Sequence, residues 1–329
     1  MLNQLAKLLA LILSSSFILT ATAQTPETRH TPHGLRPAHC VHEVPSGSKI
    51  KDMVTHAQVT RPDGTVEVHY KCAEAGALNI HTAMDRQLDA TSGHITDDDK
   101  TPAVLPGQKP VEHCFPLTYT AWLDQELDYF SANYTVPERP EHVEGETVFW
   151  WIGAEDSPTT SVIQPVLAFE NGYWLFTSWN CCPAGHTFHS KGFAVEPGQN
   201  DLFGMLVRVG NDYNILSQAG EKQSILVAED APAAVAPMFA LETYRADCNT
   251  LPASPMVLSN VRMIPSARHF GFGSSGFNLS EDCGWNTIFD GSGLYLLPPH
   301  KGGGRHIDAM NFSQKHGKEL SKNNFPISL

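Results

Sequence analysis

A glutamine, Gln164, stands in the middle of the apolar stretch SVIQPVLAFENGYWLFTSWN, residues 161–180. Its neighbours Val162, Ile163, Val166 and Leu167 read as a buried strand, where an amide must find hydrogen-bond partners. Two readings are open. Gln164 bridges backbone groups as an ordinary core amide, or it is aimed into a groove where something else supplies the partners, which would make it functional. Other residues with chemical potential are less well arranged. Sixteen histidines raise a metal hypothesis, but no H-E-x-x-H occurs, and His186 and His189 lack an obvious third ligand. The G-x-G-x-x-G lettering at 271–276 lacks the βαβ context of a nucleotide loop, and no G-x-S-x-G elbow is present. The cysteines are better used as bridges than as nucleophiles. Carboxylates and an amide remain.

The elements that would position such groups read as β throughout. Strands are expected at 129–136, 146–153, 161–169, 173–179, 192–195, 202–209, 212–218, 224–228, 239–244 and 256–263, punctuated by turn chemistries such as Glu170-Asn171-Gly172 and Gly210-Asn211-Asp212. Many short strands with regular turns imply an all-β, two-sheet antiparallel sandwich or jelly roll. Upstream, residues 40–72 read as short strands around a Pro62-Asp63-Gly64 turn, a small β-rich region that a Cys40–Cys72 disulfide would close. Residues 24–38 read as a flexible lead-in, 78–88 as one short helix, and 97–110 as a linker.

Met1 to Ala23 carries Lys7, the apolar run 8–17 and an A-x-A site, the pattern of a secretory signal, and the run is short of the ~20 residues a membrane span needs. The expected organisation is therefore a signal peptide at 1–23, an N-terminal region at 24–110, a sandwich at 111–290 and a tail at 291–329. Export to an oxidising compartment makes disulfides the default for the seven cysteines. Cys40 with Cys72 and Cys248 with Cys283 are the choices by proximity. Cys114 could join Cys181 or Cys182, or the adjacent pair could bond to each other. Sequons at Asn133, Asn278 and Asn311 fit glycosylation on that route. The formal charge of −13 argues against a nucleic-acid partner and suits either work in acid or simple solubility.

The order of features resembles the glutamic peptidases of the eqolisin family across about residues 131–263. Ala132-Asn133-Tyr134-Thr135-Val136-Pro137 is similar to that family's V-P strand, and Trp151-Ile152-Gly153-Ala154-Glu155 to its W-V-G-I-D segment. Val162-Ile163-Gln164 resembles its I-L-Q strand, and Gly172-Tyr173-Trp174 its aromatic strand. Ala194-Val195-Glu196-Pro197-Gly198 is similar to its I-x-x-G-D turn, and Met238-Phe239-Ala240-Leu241-Glu242 to its E-F-I-I-E segment. The resemblance implies a concanavalin-like sandwich and a metal-free endopeptidase acting on polypeptide. Its catalytic pair would be Gln164 and Glu242, with Trp151, Glu155, Tyr173, Trp174 and Trp179 as substrate contacts. It also implies that the N-terminal region could be a propeptide covering the groove; that region could equally be a permanent small domain.

The departures are Pro165-Val166 where the family has T-G, Ser178 where it has a glutamate, and Glu155 or Asp156 for its aspartate. Glu242 could instead lie on the solvent side of its strand. A carbohydrate-binding or glycan-acting protein on the same scaffold is the competing reading; a glycosidase would pair Glu242 with Glu155 or Asp156 across ~5 to 9.5 Å.

Overall fold

The computed structural model describes residues 27–72, 111–141, 145–156, 161–267 and 269–299. The expected signal segment, the helix at 78–88, the linker at 97–110, Asn311 and the chain beyond residue 299 lie outside the described residues. The described strands are β1 (Thr28–Thr31), β2 (Gly34–Pro37), β3 (Val41–Val44), β4 (Ser48–Asp52), β5 (His56–Thr60), β6 (Val66–Tyr70) and β7 (Val111–Thr120). They continue with β8 (Tyr129–Thr135), β9 (Thr147–Asp156), β10 (Val162–Glu170), β11 (Tyr173–Cys181), β12 (Thr187–Ser190), β13 (Phe193–Val195) and β14 (Leu202–Val209). The last are β15 (Asp212–Ala219), β16 (Lys222–Glu229), β17 (Ala234–Ala246), β18 (Met256–Ile264), β19 (Gly271–Ser275), β20 (Asn286–Phe289) and β21 (Leu294–Leu297).

All but β1 and β2, which pair with each other, form two large sheets. One runs β19-β7-β17-β9-β10-β11-β12-β3, with β13 also on β11; the other runs β20-β21-β18-β8-β14-β15-β16-β4-β5-β6. Trp150, Phe169, Trp174 and Phe176 of the first sheet share one apolar core with Phe130, Leu206, Ile215 and Leu258 of the second. The chain is thus a two-sheet β-sandwich. Most pairings are antiparallel, but β3 joins β12 and β4 joins β16 in parallel. Only Pro45, Ser46 and Gly47 separate β3 from β4, so this short stretch of chain spans from one sheet to the other. Disulfides join Cys40 to Cys72, Cys181 to Cys182 and Cys248 to Cys283; Cys114 is a buried thiol.

Burial patterns separate the two sheets. In β15 buried and half-buried residues alternate, as in a sheet with one face towards solvent. In β9 all ten positions are buried. Its odd-numbered side chains therefore meet a second apolar layer: Phe149 and Trp151 pack with Val166, Trp179, Met238 and Tyr244, apart from the inter-sheet core. That outer face carries the site.

Candidate active site

Turn chemistry fixes the face of Gln164. Asn171 and Gly172 both have positive φ, 54° and 85°, the conformation of a two-residue hairpin turn. This sets Glu170 opposite Tyr173 and, six residues along, Gln164 opposite Trp179. On β9, Val162 lies opposite Glu155 and Val166 opposite Trp151, so Gly153 stands across from Gln164. On the other side of β9, β17 sets Met238 against Gly153, Ala240 against Trp151 and Glu242 against Phe149. Side chains alternate along strands, so Gln164 and Glu242 share the outer face, with Trp151 on the rung between them.

Each of these two polar residues sits at a fault in its ladder. Pro165 has no N–H to give β9. The Tyr134 hydroxyl fills the gap, donating to the Pro165 carbonyl at 2.9 Å and accepting from the Ile152 N–H at 2.9 Å. Opposite Glu242, β7 carries an extra residue: Leu241 pairs with Leu117 but Thr243 with Cys114, leaving Phe115 and Pro116 against the glutamate. Such bulges bend a strand and re-aim its side chains.

The groove is covered by the chain itself. Residues expected to be a flexible lead-in instead form a hairpin, β1 on β2, whose turn is Pro32-His33. Gln164 is fully buried beneath it, donating from Nε2 to the Pro32 carbonyl at 3.3 Å and to His33 Nδ1 at 3.4 Å. The Tyr244 hydroxyl lies 2.8 Å from the Thr31 carbonyl and 3.1 Å from Glu242 Oε1. His113 Nε2 lies 2.8 Å from the same Oε1. The Tyr244 ring is stacked between those of His30 (4.3 Å) and His113 (4.4 Å).

Electrostatics follow from this closure. Burial raises the Glu242 carboxyl above the usual range, against opposing influences from His113, Tyr244 and the Gly34 N–H. Burial, and then the Arg36 guanidinium, hold His33 well below the ordinary histidine value. Glu155, also on the outer face, is buried with neither carboxyl oxygen hydrogen-bonded, and burial followed by Asp156 raises it to about 8.

The other expected contacts divide. Trp151 and Trp179 belong to the outer-face cluster. Tyr173 shares their face but lies six residues from Trp179, ~20 Å along the strand. Trp174 is a correction: alternation turns it inwards, and it is fully buried between the sheets against Phe169. Sequence reasoning missed His113, Tyr244, Tyr134 and the hairpin, since no motif marks any of them and only strand pairing brings them to the pair. Among the described residues one group of three metal-donor side chains comes together, His39, Cys40 and Cys72, but both sulfurs are spent on the disulfide.

No family model matches the sequence, and no curated protein does. Solved structures are similar at a distance. The crystal structure of scytalido-glutamic peptidase with a peptide-based transition-state analogue aligns with a TM-score of 0.42 and 9% identity, over 56% of this chain and 98% of that one. SCP-B, a member of the eqolisin family of peptidases in complex with the tripeptide Ala-Ile-His, aligns at 0.40 and 9%, over 56% and 98%. A weaker match is Bacteroides ovatus xyloglucan PUL GH43B, at 0.24 and 11%, over 39% and 26%. The chain therefore bears a distant resemblance, over part of its length, to glutamic peptidases of the eqolisin family.

Proposed function

We propose that this protein is a secreted, acid-active endopeptidase of glutamic type, made with its groove covered by its own N-terminal hairpin. One observation carries the reading: Gln164 and the Tyr244–Glu242 couple both meet the backbone of the same polypeptide segment, Thr31 to Gly34. A groove that recognises successive carbonyls of its own chain is equipped to hold a peptide substrate.

In the reaction, Glu242 takes a proton from water, and the resulting hydroxide adds to the scissile carbonyl carbon. The Gln164 amide donates to the oxygen as it becomes negative, as it now donates to the Pro32 carbonyl. Glu242 then returns the proton to the leaving nitrogen as the C–N bond breaks. Trp151, on the rung between, forms the apolar floor.

The test is cleavage of denatured casein by the purified protein across pH 2 to 7, beside Gln164→Ala and Glu242→Ala. Cleavage that survives both substitutions defeats the assignment. A glycan-acting reading rests on Glu155, a second buried carboxylic acid on the same face. Binding to a glycan panel without proteolysis would favour it.

A further inference from the structure

A proton count around Glu242 goes beyond the catalytic pair. The Tyr244 hydroxyl has one hydrogen but two close oxygens, the Thr31 carbonyl at 2.8 Å and Glu242 Oε1 at 3.1 Å. A carbonyl can only accept, so the tyrosine proton belongs to the shorter contact. An ionised Glu242 would then face the hydroxyl oxygen with no proton between two acceptors. A protonated Glu242 removes the conflict: its O–H donates to the Tyr244 oxygen, Tyr244 donates to Thr31, and the His113 N–H donates to Oε1 from the other side. Every partner in the chain Glu242–Tyr244–Thr31 is satisfied.

We propose that Tyr244 is a positioning residue for Glu242, its single proton held by the Thr31 carbonyl while the hairpin is seated and returned to the carboxylate when the hairpin leaves. The hairpin thereby stores the general base in its neutral form as well as covering it. This rests on the peptidase reading of the site. On opening, Glu242 gives its proton to solvent, and the Tyr244 O–H and His113 N–H both turn to Oε1, leaving Oε2, which has no partner in the closed state, free to take a proton from water.

The groups facing Glu242 are His113 and the Cys114 thiol on β7, Tyr244 on β17, and the Gly34 N–H and Arg36 on β2. Arg36 and Gly34 favour the ionised form and depart with the hairpin. Opening also removes burial, the largest influence on the carboxyl, and burial acts the other way. Tyr244 itself stays protonated, since burial raises it well above the ordinary value.

The test is infrared spectroscopy of the full chain carrying carbon-13 glutamate, at pH 7, with the neutral-carboxyl band of Glu242 assigned by its loss in Glu242→Gln. Gly34→Val unseats the turn, because φ at Gly34 is +107° and a β-branched residue is strained there. His33→Asp is a second route, placing a charge against buried Gln164. Unseating is read independently by amide hydrogen exchange over β1 and β2, whose backbone pairing protects them in the closed state. The expected result is a Glu242 band in the native chain that disappears in whichever variant loses exchange protection over β1 and β2. Adding Tyr244→Phe to that variant should restore part of the band and move the Glu242 titration upwards by ~1 pH unit. No Glu242 band in the native chain, or an unseated hairpin whose Glu242 titration ignores Tyr244→Phe, overturns the proposal. Neither readout requires turnover. Casein cleavage that survives Glu242→Ala would instead remove the peptidase reading and leave the proton count standing.

Discussion

The Gln164 side-chain amide donates to the carbonyl oxygen of Pro32, 132 residues earlier in the chain, at 3.3 Å. An amide aimed at a peptide carbonyl is the arrangement an oxyanion donor needs. Gln164→Ala should therefore lower turnover ~10²- to 10³-fold while leaving the sandwich folded. Casein cleavage measured beside thermal unfolding checks this; equal loss of both would return Gln164 to the role of a core amide.

Acid should loosen the hairpin. His33, over Gln164, is held well below the ordinary value of 6.5, chiefly by burial, and His30, stacked on Tyr244, is lowered by burial and then by Arg245. Because these seated values are depressed, the docking contribution is complete above about pH 6.5 and declines as pH falls below it. Amide exchange protection over β1 and β2, corrected for the intrinsic pH dependence of exchange, should fall between pH 6.5 and 5, and His33→Gln should flatten that fall. Protection independent of pH would exclude histidine control.

A second histidine contact ties the N-terminal strands to the sandwich. His42 on β3 lies 2.9 Å from His186 Nδ1, with His39, His69 and His189 nearby, and burial followed by these neighbours lowers His42 to about 3. His186 also contacts the Tyr70 carbonyl at 2.7 Å. Since the folded value lies below 6.5, this contribution too is present above pH 6.5 and is lost progressively towards pH 3. His42→Phe, which keeps a ring against Phe188, should weaken the acid dependence of melting temperature. An unchanged slope would show that the cluster does not titrate on unfolding.

Gly153 gives the groove its floor. A Cβ there would come within 2.8 Å of the Trp151 ring and 3.0 Å of the Ile163 carbonyl. Gly153→Ala should cost ~1 to 3 kcal/mol of stability by overpacking and should impair casein cleavage by displacing Trp151. Denaturant unfolding and initial rates test both; a variant as stable and active as the parent would mean the ring moves freely.

Tyr134→Phe leaves Ile152 N–H and Pro165 C=O without their shared hydroxyl, deep in the core. A loss of ~1 to 3 kcal/mol is expected. If the bridge also holds Gln164 in place, kcat should fall more than KM rises, and a purely structural role would leave the kinetics of the folded fraction intact.

The sequence by itself determined most of the sandwich. Alternation and turn residues located β8 to β11, β14 to β18 and the Asn171-Gly172 turn to within a few residues, because these signals are local and the positive-φ positions admit few residue types. Gln164 was legible as an anomaly, since a polar residue among Val162, Ile163 and Val166 stands out against its own strand. Which face it occupies, and that Glu242 shares that face across Trp151, depended on the pairing of β10, β9 and β17, which joins residues as far apart in the chain as Thr147 and Tyr244. The same reason hid His113, which reaches Glu242 only through the β7 pairing and its bulge. It also turned Trp174 inwards when the letters alone grouped it with the groove. The hairpin at 28–37 is the clearest case: its polar, proline-rich sequence has no apolar period to bury, and its order comes from hydrogen bonds and ring stacking supplied by Gln164, Thr147 and Tyr244. Tertiary structure alone decided that the stretch 161–180 points its glutamine at a peptide, and that the peptide is the protein's own.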